Sequence, residues 1–386
     1  MGIPLSTLYW TYRGTPSNKQ QLCQQGGPSA DPGDLKSFIK PLITALTTAL
    51  DYAPLVPTDN DALWEAMCLY ANGTGVPYDK GTHSGTCFKI GFTYPVVCFP
   101  HHPVEVQTFI GIYSWLGLLL DDEAVTHPDE FQMFHQRFCA GEKQPIPLLQ
   151  GWADLMRLVF EHWDPLVANF IVTASLNFLN ANALQARDEF THMERTKAGH
   201  SWAWFIREKD GVGEAYAWFT FPKALCRDKS RFLEVIPDLS MWIGLTNDIL
   251  SFWKEEQAGE KHNYIHSRGW YEDKDTWSTF EEIVDDVRLK TRNMFAPNYV
   301  VDEDDTQITD SKGTLKTFAA IADSGNKVER SFCGNCGSPV ATRTPKYPGK
   351  VIVKAILFDE IATPSAEIFT HRRPSWQRPV EGAEQK

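Results

Sequence analysis

Apolar residues recur at helical spacing through most of the first three hundred residues. The pattern is clear in three segments, L-K-S-F-I-K-P-L-I-T-A-L-T-T-A-L (35–50), V-E-V-Q-T-F-I-G-I-Y-S-W-L-G-L-L-L (104–120) and F-I-V-T-A-S-L-N-F-L-N-A-N-A-L-Q-A-R (170–187). The last two are apolar on nearly every side, which is typical of helices inside a large bundle. The sequence therefore predicts a mainly α-helical domain over residues 36–294.

The pattern changes near residue 295. Beyond it, short β-forming runs such as V-I-V-K-A-I-L-F (351–358) alternate with turn signals such as Y-P-G-K (347–350). Residues 1–35 are rich in Gly, Pro, Ser and Gln, which favours an extended arm. We therefore divide the chain into an arm (1–35), a helical domain (36–294) and a small β-rich C-terminal segment (295–386).

Charge and cysteine usage narrow the classes of partner and compartment. The 386-residue chain has a formal net charge of −12 and no basic stripe, which argues against nucleic acid and anionic membrane as partners. The longest apolar run is too short to cross a bilayer, and the N-terminus lacks the pattern of a signal peptide. Eight scattered cysteines suit a reducing compartment. We expect a cytoplasmic protein without membrane insertion.

Three consecutive acids end one apolar segment. Asp121, Asp122 and Glu123 follow L-L-L directly. Carboxylates are costly to bury unless they are paired or bound to metal, and they oppose the dipole at the C-terminus of a helix. Mg²⁺ binds carboxylates together with phosphate oxygens, so the cluster is a candidate metal site. The alternative interpretation is a solvated helix end.

A second polar set interrupts an apolar segment at N-D-I-L-S-F-W-K-E-E (247–256). Asn247, Ser251 and Glu255 are four residues apart, so on a helix each lies about 40° round from the last. An amide oxygen, a hydroxyl and a carboxylate on one stripe suit Mg²⁺, and Lys254 is a candidate phosphate contact. The alternative is the solvent-facing side of an amphipathic helix, although the flanking residues are strongly apolar.

Together the two acidic sites resemble those of class I terpene synthases. The segment N-D-I-L-S-F-W-K-E is most similar to the trichodiene synthase family of fungal sesquiterpene cyclases, over roughly residues 60–290. The resemblance implies an all-α bundle in which three Mg²⁺ ions hold farnesyl diphosphate. It also implies metal ligands and a diphosphate contact at Asp121, Asn247, Ser251, Glu255 and Lys254, with an indirect role for Asp122.

A third segment, W-F-I-R-E-K-D-G-V-G (204–213), fits the same family. The resemblance implies that Arg207 is catalytic and senses the diphosphate, and that Gly211 and Gly213 allow a helix break. Without the resemblance, Arg207 would be interpreted as part of a surface ion pair. The chain departs from the family at D-D-E-A-V (121–125), which has no acid at its fifth position.

The C-terminal segment resembles a different family. S-G-N-K-V-E-R-S-F-C-G-N-C-G-S-P-V (324–340) is similar to the C-terminal half of glutathione-dependent formaldehyde-activating enzymes, a zinc fold related to centromere protein V. In that family the C-x-x-C pair completes a zinc site with a C-x-C pair. The other six cysteines form no such pair, so Cys333 and Cys336 supply half of a tetrahedral Zn²⁺ site.

The segment stands where the last helices of a trichodiene-type cyclase are expected. No Arg-Tyr pair follows residue 256, although the family uses one to bind diphosphate. A gene fusion or an error in the gene model would each account for the join. We predict a Mg²⁺-dependent cyclase of farnesyl diphosphate that is impaired by this replacement, with a homodimer as one allowed assembly. The alternatives are a zinc-dependent carbon–sulfur lyase acting on glutathione adducts and a non-catalytic helical protein.

Overall fold

The computed structural model describes residues 32–49, 60–261, 263–294, 298–321, 325–334, 339–354, 365–367 and 382–385. The chain divides into two compact units at Lys290 and Thr291. The described part of the first unit is built from α-helices, and that of the second from β-strands. This confirms the predicted fold class. Most of the predicted N-terminal arm, residues 1–31, lies outside the described residues.

The helical unit runs from α1 to α13. Its helices are α1 Pro32–Ala49, α2 Asp61–Thr74, α3 His83–Cys98, α4 Val104–Glu123, α5 Pro128–Ala140, α6 Pro147–His162, α7 Pro165–Gln185, α8 Asp188–Thr191, α9 Trp202–Asp210, α10 Gly213–Phe219, α11 Ile236–Ala258, α12 Tyr264–Glu272 and α13 Thr276–Met294. Residues 32–35, assigned to the arm from the sequence, are helical in α1. Pro32 suits the first turn, where its missing N–H leaves no helical bond unmade.

Helix α4 is an inner helix, as its apolar pattern predicts. Every residue from Val106 to Leu116 is buried. A Cβ atom on Gly91 of α3 would lie 2.5 Å from the carbonyl oxygen of Gly111 on α4, so the two backbones nearly touch. The close approach fixes the direction of α4, and with it the position of the acids at its C-terminal end.

Helix α7 has the length and composition of a membrane-spanning helix. Half of its most apolar stretch is buried inside the protein, and it packs against α6, α9 and α10. The hydroxyl of Ser175 on α7 also lies 2.9 Å from the hydroxyl of Tyr113 on α4. These contacts are those of a core helix in a bundle.

The second unit contains a five-stranded antiparallel sheet. Its strands are β1 Asn298–Asp302, β2 Leu315–Ile321, β3 Lys327–Cys333, β4 Pro339–Arg343 and β5 Lys350–Lys354, in the order β1-β5-β4-β3-β2, and a short parallel pair joins β6 Ala366–Glu367 to β7 Glu384–Gln385. The register shifts between Ser331 and Phe332. Ala341, Val351 and Val353 form the small apolar core of this sheet.

Candidate active site

The three acids at the end of α4 have different environments. Asp121 and Asp122 are exposed, whereas Glu123 is half-buried. Asp122 lies 2.8 Å from Nε2 of His83 on α3, and Glu123 lies 3.6 Å from Nε2 of His127. Two of the three carboxylates therefore have histidine partners close by.

Helix α11 carries the second predicted set. Asn247 is exposed, and Ser251 and Glu255 are half-buried, with about 6 Å of helix axis between neighbours in the set. The Ser251 hydroxyl oxygen is buried and has no hydrogen-bond partner among the described residues. Glu255 accepts a hydrogen bond of 2.8 Å from Asn263, and Lys254 is exposed. The hydroxyl at the centre of the stripe is buried although Asn247 is exposed, so the stripe is only partly solvent-facing.

Arg207 on α9 is buried, and its side chain joins α9 to α11. Its Nε donates to both carboxylate oxygens of Asp248, at 2.8 and 2.9 Å. Its Nη2 donates to the carbonyl of Gly244 at 2.8 Å and lies 3.4 Å from the amide oxygen of Asn247. Its Nη1 lies 3.3 Å from Asp210. Arg207 does form ion pairs with neighbouring acids, as the alternative interpretation expects, but these pairs lie largely inside the protein rather than on its surface.

Two acids of this network are absent from the set predicted from the sequence. Asp248 follows Asn247 directly, and Asp210 follows Arg207 by three residues, a spacing that places two helical side chains side by side. Asp210 also accepts a hydrogen bond of 2.9 Å from Gln185 at the end of α7. The spacing from Arg207 was a usable signal for Asp210. The contact between Arg207 and Asp248 joins two helices and leaves no local signal.

Negative charge is concentrated around Arg207. Burial raises the pKa of Asp248 to about 7 against the lowering effect of Arg207, and Glu255 and Asp210 raise it further. Burial also raises the pKa of Asp210, and the charge of Asp121 adds to that rise. In return, Asp248 and Asp210 raise the pKa of Arg207 against the effect of burial. Asp121 at the end of α4 is therefore close enough to Asp210, and Glu255 to Asp248, for their charges to interact.

A helix break separates α9 from α10 next to Arg207. The backbone of Val212 has a φ of 44°, in the left-handed region that β-branched residues rarely adopt. A Cβ atom on Gly213 would lie 2.7 Å from the carbonyl oxygen of Ser240 on α11. The break lies where Gly211 and Gly213 predict it, but the strained residue is the valine between them. Strain of this kind is held in place by surrounding structure and clusters at functional sites.

The donor set on α11 fits a hard cation. Within the described ranges, no three His, Cys, Asp or Glu side chains gather closely enough to hold a metal ion. The set on α11 is of another kind, since Asn247, Ser251 and Glu255 offer amide, hydroxyl and carboxylate oxygens. Such oxygens are the ligands that Mg²⁺ prefers. The partnerless hydroxyl of Ser251 is a group that a bound metal would satisfy.

The second predicted metal site is described only in part. Cys333 at the end of β3 is half-buried, and its sulfur lies 3.9 Å from the hydroxyl of Thr314. Cys336 lies outside the described residues. Half a zinc site at these two cysteines therefore stays a prediction.

A buried helix that ends in acids, and a second helix with an Asn-Ser-Glu stripe beside a largely buried arginine, resemble the arrangement in class I terpene synthases. Residues 87–320 match the family model of trichodiene synthase (TRI5), and the chain belongs to this family. Residues 284–372 match the model of glutathione-dependent formaldehyde-activating enzymes. The two matches overlap over residues 284–320, which include most of α13 and all of β1.

The relatives are fungal terpene synthases. Longiborneol synthase CLM1 of Gibberella zeae is 40% identical over 266 residues, which cover 67% of this chain and 78% of that enzyme. Terpene synthase BipA of Cochliobolus sativus is 33% identical over 312 residues, or 76% of this chain and 94% of BipA. The (E)-beta farnesene synthase of Metarhizium brunneum is 28% identical over 173 residues, or 44% and 52% of the two chains.

Proposed function

We propose that this chain is a sesquiterpene synthase that ionises farnesyl diphosphate with Mg²⁺, cyclises the hydrocarbon chain and releases diphosphate. The observation that carries the proposal is the buried, partnerless hydroxyl of Ser251, which lies between Asn247 and Glu255 on one stripe of α11. The family supports a terpene cyclase, and the farnesene synthase among the relatives favours a farnesyl substrate.

Each predicted ligand has a role in this proposal. Asn247, Ser251 and Glu255 would hold metal on α11, and Asp121 would do so from the end of α4. Mg²⁺ bound there neutralises the charge that develops on a departing diphosphate. We propose three ions, as the resemblance to the family implies.

Arg207 and Lys254 supply positive charge for the diphosphate. Asp248 and Asp210 raise the pKa of Arg207, so its guanidinium remains a cation although it is buried. Its contact with Asn247 places that charge beside the metal ligands. Lys254 is exposed on α11, the helix that carries Asn247, and can approach a substrate from the solvent side. A bound substrate that excluded water from this site would strengthen these interactions and protect a carbocation.

The proposal is tested with the purified 386-residue chain, farnesyl or geranyl diphosphate and Mg²⁺, with volatile products identified by mass spectrometry. We expect product from farnesyl diphosphate and its loss in Glu255→Gln. Glu281→Gln is the matched control, because Glu281 is exposed on α13 and makes the same change of charge elsewhere. An unchanged yield in Glu255→Gln would contradict the metal assignment.

The C-terminal segment sets the expected level of activity. We propose that turnover is slow because the family's last helices and Arg-Tyr pair are replaced; robust turnover by the full chain would refute this. The alignment covers 94% of BipA, so only a short part of that relative's length lacks a counterpart in this chain. A zinc-dependent lyase would instead carry bound zinc, and we expect less than one Zn²⁺ per chain by elemental analysis.

Compartment and assembly complete the proposal. We propose a cytoplasmic enzyme, which agrees with the unbridged thiols of Cys68, Cys87, Cys98 and Cys139. A homodimer is the assembly to test, by the mass of the purified chain in solution. A monomeric mass at working concentrations would remove the dimer from the proposal and leave the active-site assignments in place.

A further inference from the structure

The side chain of Asn263 makes two hydrogen bonds with different partners. It is the residue before α12, and its Oδ1 accepts a hydrogen bond of 3.0 Å from the backbone N–H of His266, which caps that helix. Its Nδ2 donates a hydrogen bond of 2.8 Å to Oε2 of Glu255 on α11. Because the cap engages the oxygen of the amide, the nitrogen must face Glu255. The cap of one helix therefore fixes a donor against a side chain of another.

The turn between the two helices brings Asn263 to this position. Helix α11 ends at Ala258, and Gly259 has a φ of 74°, the left-handed conformation that commonly ends a helix. The N–H of Glu260 then bonds the carbonyl of Glu255 at 2.9 Å. The chain is thus turned back at the level of Glu255, where α12 begins.

Glu255 and Glu256, which are adjacent on α11, have partners of different charge. Glu256 contacts Nζ of Lys261 at 2.7 Å and the imidazole of His266, and these partners lower its pKa against the effect of burial. Glu255 instead accepts a hydrogen bond from a neutral amide, which orients the carboxylate without cancelling its charge. Glu256 is therefore suited to hold α11 to α12, and Glu255 to bind a cation.

We propose that Asn263 is a positioning residue that holds the Glu255 carboxylate in the orientation needed for metal binding. This inference rests on the proposed ligation of Mg²⁺ by Glu255. A hydrogen bond to Oε2 fixes the carboxylate plane and leaves Oε1 available for the metal. Side chains that orient metal ligands in this way typically contribute about 10- to 100-fold to metal affinity or activity.

The test separates the cap from the donor. Asn263→Ser keeps a residue that caps helices well but removes the amide donor, whereas Asn263→Ala removes both. The matched control is Asp275→Ser, because Asp275 caps the start of α13 by accepting from the N–H groups of Trp277 and Ser278, at 2.9 and 3.0 Å. Both serine variants exchange one capping residue for another, and only the first alters the contact with Glu255.

Two measurements are made on each full-length variant. The first is the Mg²⁺ concentration that gives half-maximal product formation. The second needs no turnover and is the rise in unfolding temperature caused by Mg²⁺ with inorganic diphosphate. For Asn263→Ser we expect a metal-free unfolding temperature close to that of the wild type, a half-maximal Mg²⁺ concentration about 10- to 100-fold higher and a smaller rise with diphosphate. Asp275→Ser should keep the wild-type Mg²⁺ response.

The outcomes distinguish this inference from the proposed function. A wild-type Mg²⁺ response in Asn263→Ser would overturn the positioning role and leave the proposed function standing. A Mg²⁺ response that is weakened in Asn263→Ala but kept in Asn263→Ser would show that the residue acts through the helix cap alone. If the wild type gave neither product nor a thermal response to Mg²⁺ with diphosphate, both proposals would fall.

Discussion

Arg207 and Asp248 form a buried ion pair in which one guanidinium nitrogen lies within 2.9 Å of both carboxylate oxygens. The side chains are only 10% and 7% exposed. The pair connects α9 to α11 immediately beside Asn247, so it also sets the distance between the helix break and the stripe of Asn247, Ser251 and Glu255. A buried charge that loses its partner has little solvent to replace it.

Asp248→Asn should therefore destabilise the protein strongly. The substitution keeps the shape of the side chain and leaves the Arg207 cation with weaker partners. This outweighs the relief of the burial cost that raises the pKa of Asp248, so we expect a loss of about 3 kcal/mol in the free energy of unfolding. Urea denaturation measures it. The control is Asp154→Asn, whose partner Arg157 is 44% exposed, and its effect should stay below about 1 kcal/mol. Equal small effects would mean that Asp210 and Gly244 satisfy Arg207 without Asp248.

The contrast between Ser251 and Asp248 shows how far the sequence predicts this site. The spacing of Asn247, Ser251 and Glu255 identifies one stripe because helical periodicity is local and regular. Asp248 lies between them in the sequence and points to Arg207, 41 residues away. A contact between helices depends on how they pack, and no local pattern records it. The contact of Asn263 with Glu255 also depends on how two helices pack, so the sequence does not predict it.

The helix break offers a second comparison. Two glycines close together predict a break, because glycine adopts conformations that other residues avoid. In the structure Gly213 is needed for the close approach of α10 to α11, and the left-handed conformation falls on Val212. Composition predicts where the backbone is unusual. Only the packing against Ser240 determines which residue carries the strain.

Gly213→Ala should disturb the contact between α10 and α11. The added methyl group would lie 2.7 Å from the carbonyl oxygen of Ser240, so we expect a loss of about 1–3 kcal/mol in the free energy of unfolding, together with reduced product formation. The control is Gly73→Ala near the end of α2, where the methyl group meets nothing within 4 Å. That variant should gain up to about 1 kcal/mol. A stabilised Gly213→Ala would show that α10 can move away freely.

Buried histidines should lower the free energy of unfolding between neutral and mildly acidic pH, against the opposite effect of Asp248, whose raised pKa of about 7 lets the folded protein bind a proton there first. Burial lowers the pKa of His102, His135 and His162. Below about pH 6.5 the unfolded chain binds protons at these residues before the folded protein does, so the contribution of the three histidines to the free energy of unfolding decreases as the pH falls towards their folded pKa values. Urea denaturation at pH 7.5 and 5.5 tests this. In His135→Gln the free energy of unfolding should fall less between pH 7.5 and pH 5.5 than in the wild type. An identical change in the two proteins would exclude a contribution from His135.

Ser251→Ala should have opposite effects on stability and on metal binding. Its hydroxyl is buried and has no hydrogen-bond partner in the part of the chain that the structure describes, so its removal should stabilise the metal-free protein by about 1 kcal/mol. Its loss as a ligand should raise the Mg²⁺ concentration needed for product formation. Thr246→Val is the control, because its hydroxyl is equally buried and partnerless but points about 140° away from Ser251 round α11. It should share the gain in unfolding free energy and keep the wild-type Mg²⁺ dependence. If both variants responded to Mg²⁺ alike, Ser251 would not be a ligand.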